Sequence, residues 1–166
     1  MIDLYTWHTP NGRKVSIMLE EIGMDYNVHS INIAKNEQFQ PHFLEVSPNN
    51  RIPAIVDKDN NNYSLFESGA ILMYLAEKSG KLINKSNSDE YFRTIEWLMW
   101  QMGGVGPMFG QVHHFVKYNK GKSAYAKERY SKEARRLYGV MDKRLGQHQY
   151  FSGSEYSIAD ISIWPW

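Results

Sequence analysis

The chain has 166 residues, enough to bury a sizeable core as one large domain or two small ones, and no linker is obvious in it. A formal net charge of +1 with 22% charged residues excludes the strong field that nucleic acid, an anionic membrane or a highly charged macromolecule would require, so a small-molecule or protein partner fits better. With no cysteine there is no disulfide scaffold, no Cys-x-x-Cys redox pair and no thiolate metal site, and with neither a signal-like leader nor a membrane-length apolar run the chain reads as soluble and cytoplasmic.

Ile2-Asp3-Leu4-Tyr5 reads as a short strand, and Thr9-Pro10-Asn11-Gly12 as the opening of an amphipathic helix directly after it. Thr9 suits the N-cap and Pro10 the first helical position, which leaves the first-turn N–H groups and the positive end of the helix dipole facing outward. Such a terminus is either a plain cap or an anion site. The helix runs over Pro10–Ile22 with Val15, Met18, Leu19 and Ile22 on one face, and Gly23 closes it.

Tyr26–Ile33 reads as a second strand and Phe39–Val46 as a short helix. Ala54–Asp57 and Tyr63–Phe66 read as a hairpin joined by the polar Lys58–Asn62 turn, and Ser68–Lys78 as a helix with Ile71, Leu72 and Leu75 inward, closed by Gly80. A parallel β-α-β crossover followed by a helix and a β-β-α unit is a thioredoxin-like order, assigned to residues 1–82.

Strand signals stop after Gly80. Leu82–Ser88 is a polar connector, and apolar residues then recur at helical spacing through Ile95, Leu98, Met99 and Met102 up to Gly103-Gly104-Val105-Gly106-Pro107, which bends or splits the helix. A long helix is expected over Ala124–Leu145, with Tyr130, Ala134, Leu137, Tyr138 and Met141 inward. Ser157-Ile158-Ala159-Asp160 has capping-box spacing and starts another helix. Residues 89–166 therefore form an all-helical domain, and its apolar last residues Ile161–Trp166 predict a C-terminally truncated fragment.

These segments together resemble the cytosolic glutathione transferases. The resemblance rests on Thr9-Pro10-Asn11-Gly12, on Ser47-Pro48-Asn49-Asn50-Arg51-Ile52-Pro53-Ala54-Ile55 and on Leu65-Phe66-Glu67-Ser68-Gly69-Ala70-Ile71. Trp100–Met108, Gly110-Gln111, His113-His114-Phe115 and Glu128-Arg129-Tyr130 narrow it to the nu class, the bacterial glutathione-dependent disulfide-bond oxidoreductases related to a yeast nitrogen-regulation prion protein. The resemblance implies an α/β thioredoxin-like N-terminal domain followed by an incomplete all-α domain, with glutathione as co-substrate and no metal. It also implies small disulfide or electrophilic substrates, a weak glutathione peroxidase activity, two glutathiones in one site and a symmetric homodimer.

Each motif has its own chemistry beside that likeness. Ile52-Pro53 precedes a strand where a thioredoxin fold carries a cis proline; in the resembled family the backbone of the Ile52 position pairs with the cysteinyl part of glutathione, whereas a bare Ile-Pro only starts a strand. Glu67-Ser68, between strand and helix, suits a γ-glutamyl end, Glu67 for its ammonium and Ser68 with the helix N–H groups for its carboxylate; the plain alternative is a cap with a nearby acid. Gln38 and Arg129 match further glutathione-contacting positions of the class. Thr9 and Asn11 are the donors expected to stabilise a glutathione thiolate, whose reference pKa of about 8.5 leaves little of it ionised at neutral pH. Tyr5 is set aside because it lies within the strand signal.

The expected reaction is thiol–disulfide exchange in which both redox sulfurs belong to ligands. A non-catalytic glutathione-binding module, regulatory or dimerising, is the alternative from another class. His113-His114 lacks a third ligand at metal spacing and reads as cleft lining or a helix cap; Trp100, Met108, Phe109 and Phe115 read as core or as the wall of an apolar substrate pocket.

Overall fold

A computed structural model describes residues 1–166. The first half is β1 (Ile2–Thr6), α1 (Pro10–Ile22), β2 (Tyr26–Ser30), two single 3₁₀ turns (Ile33–Lys35 and Glu37–Phe39), α2 (Pro41–Leu44), β3 (Ala54–Asp57), β4 (Tyr63–Phe66) and α3 (Ser68–Ser79). The second half holds α4 (Ser88–Trp100), α5 (Gly106–Val112), α6 (Ala124–Leu145) and α7 (Ile158–Ile163). Two compact units divide these elements, Met1–Ile83 and Asn84–Trp164 together with Trp166. No helix is long and apolar enough to cross a membrane.

In the first unit the sheet order is β2-β1-β3-β4, with β1 parallel to β2 and antiparallel to β3, and β3 antiparallel to β4. Because side chains alternate along a strand, the register that pairs Tyr5 with Ala54 and Ala54 with Phe66 puts all three on one face. There they pack with Phe43 of α2, Ile31, Val46 and Ile52. Leu4 and Ile55 point to the other face and are fully buried, as are Val15, Met18 and Leu19 of α1 and Ile71, Leu72 and Leu75 of α3, two helices that pack on each other. Gly23 and Gly80 close α1 and α3 in the left-handed conformation.

Two boundaries differ from the sequence reading. β2 ends at Ser30 because Asn32 starts a 3₁₀ turn, its Oδ1 accepting from Ala34 N at 3.0 Å while its own N–H donates to Glu37 Oε2 at 2.6 Å. The helix expected over Phe39–Val46 is only Pro41–Leu44, since Gln40 precedes a proline and is held extended at ψ 142.

A buried carboxylate ties this unit's hairpin to α3. Asp57 is fully buried and accepts from Lys78 Nζ at 2.6 Å, Tyr74 Oη at 2.6 Å and the Asp59 backbone N–H at 3.0 Å. Burial alone would raise its pKa, but these bonds outweigh it and hold the carboxyl below its ordinary value.

In the second unit the Gly-rich interruption splits the α-helix, as expected, without ending the helical winding. Gln101–Val105 takes a π-helical turn between α4 and α5, and Pro107 follows as the second residue of α5. A second π turn, His113–Tyr118, follows α5. Val105, Phe109, Ala134 and Leu137 form the core, with Trp100, Met108, Val112, Met141 and Trp166 packed on it. Trp100 and Phe109 are thus core residues, while Phe115 stacks on Tyr130 at 5.6 Å. Tyr138 is a correction: it is 55% exposed, because it stands one residue past the Ala134–Leu137–Met141 stripe and only lays its ring on Phe109 at the edge.

At α7 the predicted capping box is present. Asp160 Oδ2 accepts from Ser157 N at 3.0 Å, and Ser157 Oγ accepts from Ala159 N at 3.3 Å. Asp160 Oδ1 also accepts from Phe151 N at 2.9 Å, which binds the preceding loop to the helix.

Candidate functional site

The chain leaves β1 at Thr6 and enters α1 through Thr9, whose φ of −125° and ψ of 158° are those of an N-cap. Thr9 Oγ1 accepts from Gly12 N at 3.2 Å. A hydroxyl has one proton and two lone pairs, so capping occupies a lone pair and leaves the proton to donate outward. Cap and ligand donor, alternatives in the sequence, are therefore compatible in one side chain. The turn is tight at Gly12, where a Cβ would lie 2.4 Å from Thr6 Oγ1 and 2.5 Å from the Trp7 carbonyl oxygen. Tyr5 lies in the sheet, its ring stacked on His29 at 4.6 Å and tilted against Phe43.

A cleft of about 240 Å³ in the first unit is lined by Asn11, Arg51, Ile52, Pro53, Phe66, Glu67 and Ser68. Three separate stretches of sequence converge on it. Asn11 comes from the first turn of α1; Ile52 and Pro53, joined by a cis peptide bond, come from the loop before β3; Glu67 and Ser68 come from the β4–α3 junction. The loop before β3 is fixed from within by Ser47, which is fully buried and donates its hydroxyl to the Arg51 carbonyl at 2.8 Å.

Glu67 is the conformational outlier of the site. It has φ 72° and ψ 112°, a region that a residue with a Cβ rarely enters and that costs about 1–3 kcal/mol. The side chain remains exposed and accepts a long bond from Asn49 Nδ2 at 3.4 Å. The strain buys an orientation, since Glu67 turns the chain so that α3 begins at Ser68 with its N-terminus at the cleft.

Beneath Ser68 lies a feature that sequence reasoning missed. Lys14, on α1, is fully buried with its Nζ 3.3 Å from Ser68 Oγ. Burial pushes its pKa down to about 7, and the Glu67 carboxylate pulls the other way. A signal existed, because Lys14 sits one turn before Met18 and next to Val15 on the apolar stripe. Arg51 and Phe66 also line the cleft, although neither was singled out as a ligand from the sequence.

Gln38 and Arg129 stand elsewhere. Gln38, in the second 3₁₀ turn, is 8% exposed, and its side-chain oxygen has no hydrogen-bond partner. Arg129 is exposed on α6 of the second unit, where it lines a depression of about 670 Å³ with Met108, Tyr125, Glu128, Tyr130 and Arg136 among others. His113 stacks against Trp166, and His114 faces Asn119.

Comparison with known proteins identifies the family. Residues 1–77 match the family "Glutathione S-transferase, N-terminal domain" and residues 124–166 match "Glutathione S-transferase, C-terminal domain". The chain is 50% identical over 170 residues to the disulfide-bond oxidoreductase YfcG of Escherichia coli strain K12, spanning 100% of this chain and 79% of that protein. It is 43% identical to the disulfide-bond oxidoreductase YghU of the same strain, spanning 99% of this chain but only 59% of YghU. The crystal structure of a glutathione transferase family member from Pseudomonas fluorescens pf-5, with two glutathione bound, superposes with a TM-score of 0.94 at 52% identity, covering 99% of this chain and 74% of that one. With a cysteine-free cleft built on a capped helix terminus, and with both family matches and close relatives over its whole length, the chain belongs to the glutathione S-transferase family.

Proposed function

We propose that this chain is a glutathione-dependent disulfide-bond oxidoreductase that activates the glutathione thiol without a cysteine of its own. The observation that carries the reading is the hydroxyl of Thr9, committed as acceptor to Gly12 N yet still holding a proton to donate beside the N-terminus of α1. A thiolate there gains a hydrogen bond from Thr9, a second from Asn11 and the field of the helix dipole. The two relatives named disulfide-bond oxidoreductases, at 50% and 43% identity, support the same chemistry.

Glutathione enters with its cysteinyl backbone along Ile52 and its γ-glutamyl end between Glu67 and Ser68. Glu67 takes the ammonium, and Ser68 with the first N–H groups of α3 takes the carboxylate. Arg51 adds a cation at the same cleft for a second carboxylate. The sequence likeness adds Gln38 as a further contact; Arg129, which it also names, stands on α6 of the second unit. The thiolate attacks one sulfur of a disulfide, the S–S bond breaks, and the leaving sulfur departs as a thiolate that takes up a proton. A second glutathione thiolate attacks the mixed disulfide at its glutathione sulfur, giving glutathione disulfide and a second thiol; two electrons pass from two glutathiones to the substrate. The assembly is a symmetric homodimer acting in the cytoplasm, where glutathione is kept reduced.

The test is reduction of bis-hydroxyethyl disulfide by glutathione, coupled to glutathione reductase, on this chain and on Thr9→Ala. Turnover that falls in Thr9→Ala while glutathione binding persists supports the oxidoreductase. Binding of glutathione without turnover would make the chain a glutathione-binding module, and absence of both would overturn the reading.

A further inference from the structure

We propose that the groove between α4 and α6 of the second unit is a binding site for a doubly charged phosphoryl group, carried by free phosphate or by a small phosphomonoester. The glutathione chemistry makes no use of this groove, and all of its walls belong to one unit.

The groove measures about 320 Å³ and is lined by Trp97 of α4, by Arg136, Val140, Lys143 and Arg144 of α6, and by Gln147 just past the end of that helix. Residues three, four and seven apart share a helix face, which is why Arg136, Val140, Lys143 and Arg144 stand together. No carboxylate lines the groove. Arg136 is matched by Glu133, which accepts from its Nε at 2.8 Å and from its Nη2 at 2.7 Å. Lys143 and Arg144 have no carboxylate at ion-pair distance. Gly139 supplies the remaining wall, and a Cβ there would meet no atom within 4 Å, so the groove is open along its middle.

Arg144 is the fixed member of the cluster. Its Nε donates to the Phe151 carbonyl oxygen at 2.9 Å, and its guanidinium lies over the Trp97 ring at 5.4 Å. The planar group is thereby held in place while its two terminal nitrogens have no acceptor in the protein, a fork that matches two oxygens of a phosphoryl group. Burial and the Arg93 guanidinium hold the Arg144 pKa below its ordinary value, with the Glu96 carboxylate pulling the other way. Glu96 is itself bonded to Arg93 Nη1 at 2.7 Å.

Charge selects the ligand. Three cations line the groove and Glu133 offsets Arg136, which leaves two positive charges, those of Lys143 and Arg144. A phosphoryl monoester carries about −1.5 to −2 at pH 7 and meets both, whereas a single carboxylate meets one. The volume lies near the lower end of the range of about 300–1,000 Å³ for ligand pockets, so the ligand is a small molecule.

The experiment is titration calorimetry of the whole chain with inorganic phosphate and, separately, with glycerol 1-phosphate, at about pH 7.5 and constant ionic strength, with acetate as the monoanion control. Gly139→Glu sets a carboxylate in the groove from a position with open space, and Lys143→Glu reverses one wall; each is expected to weaken both probes by roughly tenfold or more. Arg144→Met is expected to lose at least as much, but it also strips the Phe151 carbonyl of its donor, so the other two variants decide. Arg135→Glu, on the same helix but outside the groove, is expected to stay within about twofold of wild type. Tighter binding of inorganic phosphate would support the site with the free ion as its ligand, and tighter binding of glycerol 1-phosphate would support it with an esterified one. Absence of binding by both probes at millimolar concentration would overturn the proposal. So would acetate binding as tightly as phosphate, unchanged affinity in Gly139→Glu and Lys143→Glu, or an equal loss in Arg135→Glu.

Discussion

Replacing Thr9 by valine removes a hydroxyl while keeping the shape of the side chain, and its two consequences have different sizes. The fold loses one cap, the bond from Gly12 N to Thr9 Oγ1 at 3.2 Å. Loss of such a cap costs about 1 kcal/mol, which in a chain of 166 residues lowers the melting temperature by roughly 2–4 °C. The chemistry loses a donor aimed at developing negative charge, an effect worth about 2.7–4 kcal/mol, or roughly 100- to 1000-fold in turnover. The two are separated by Thr9→Asp, whose carboxylate still accepts from Gly12 N but carries no proton and repels a thiolate. Thr9→Asp should therefore melt near wild type and be as inactive as Thr9→Val, whereas Thr9→Ser should keep both properties. The assay is coupled disulfide reduction beside thermal melts, with the ultraviolet thiolate band of bound glutathione followed against pH to see its pKa rise in the valine and aspartate variants. Turnover of Thr9→Val within about threefold of wild type, with a normal melt, would refute the assignment of the thiolate donor to Thr9.

Gly12→Ala sets a small helix-propensity gain of about 1 kcal/mol against a Cβ at 2.5 Å from the Trp7 carbonyl oxygen, and the clash with backbone wins: we expect about 1–3 kcal/mol of destabilisation and a matching loss of glutathione affinity, read by melts and calorimetry. Glu67→Gly relieves the strain of φ 72° at some entropic cost, so stability should rise by about 1 kcal/mol while glutathione binding weakens roughly tenfold or more; a fall in stability would show that the Glu67 side chain holds the junction. Lys78→Met strips one partner from buried Asp57 and should cost about 1.5–3 kcal/mol in urea unfolding. Because the Asp57 pKa is depressed on folding, its contribution is present above the unfolded value of about 3.9 and is lost as pH falls through the lower folded value, so the loss in Lys78→Met should shrink in that acid range. For Lys14 the slope has the same sign in a higher window, although here it is the charged form that folding disfavours: the folded pKa of about 7 lies below the unfolded one, the unfolded chain binds more protons between them, and wild-type stability relative to Lys14→Met should rise by about 2 kcal/mol from roughly pH 7 to 9. An unchanged difference across that window would place Lys14 in water in solution.

The elements that depend on local signals were legible in the residues themselves. Thr9-Pro10 and Gly23 bracket α1, the five polar residues after Asp57 make the β3–β4 turn, and Ser157 with Asp160 opens α7, because caps and turns satisfy backbone groups with side chains only a few positions away. The motif chemistry of Asn11, Ile52-Pro53 and Glu67-Ser68 was legible in the same way, and those residues line one cleft. Tertiary structure decided what depends on neighbours distant in sequence. Only the packed sheet and helices bring Lys14 under Ser68, 54 positions away, strip its water and lower its pKa, although its residue type argues for the surface. Only the junction of β4 with α3 forces Glu67 to a positive φ, and only the width of the α6 stripe leaves Tyr138 outside the core. Local sequence thus determined where the helices begin, where the hairpin turns and which motifs were candidates for a site, since those terms act over a few bonds. Burial, charge state and strain at the cleft came from the fold, since desolvation and packing are properties of everything that surrounds a group.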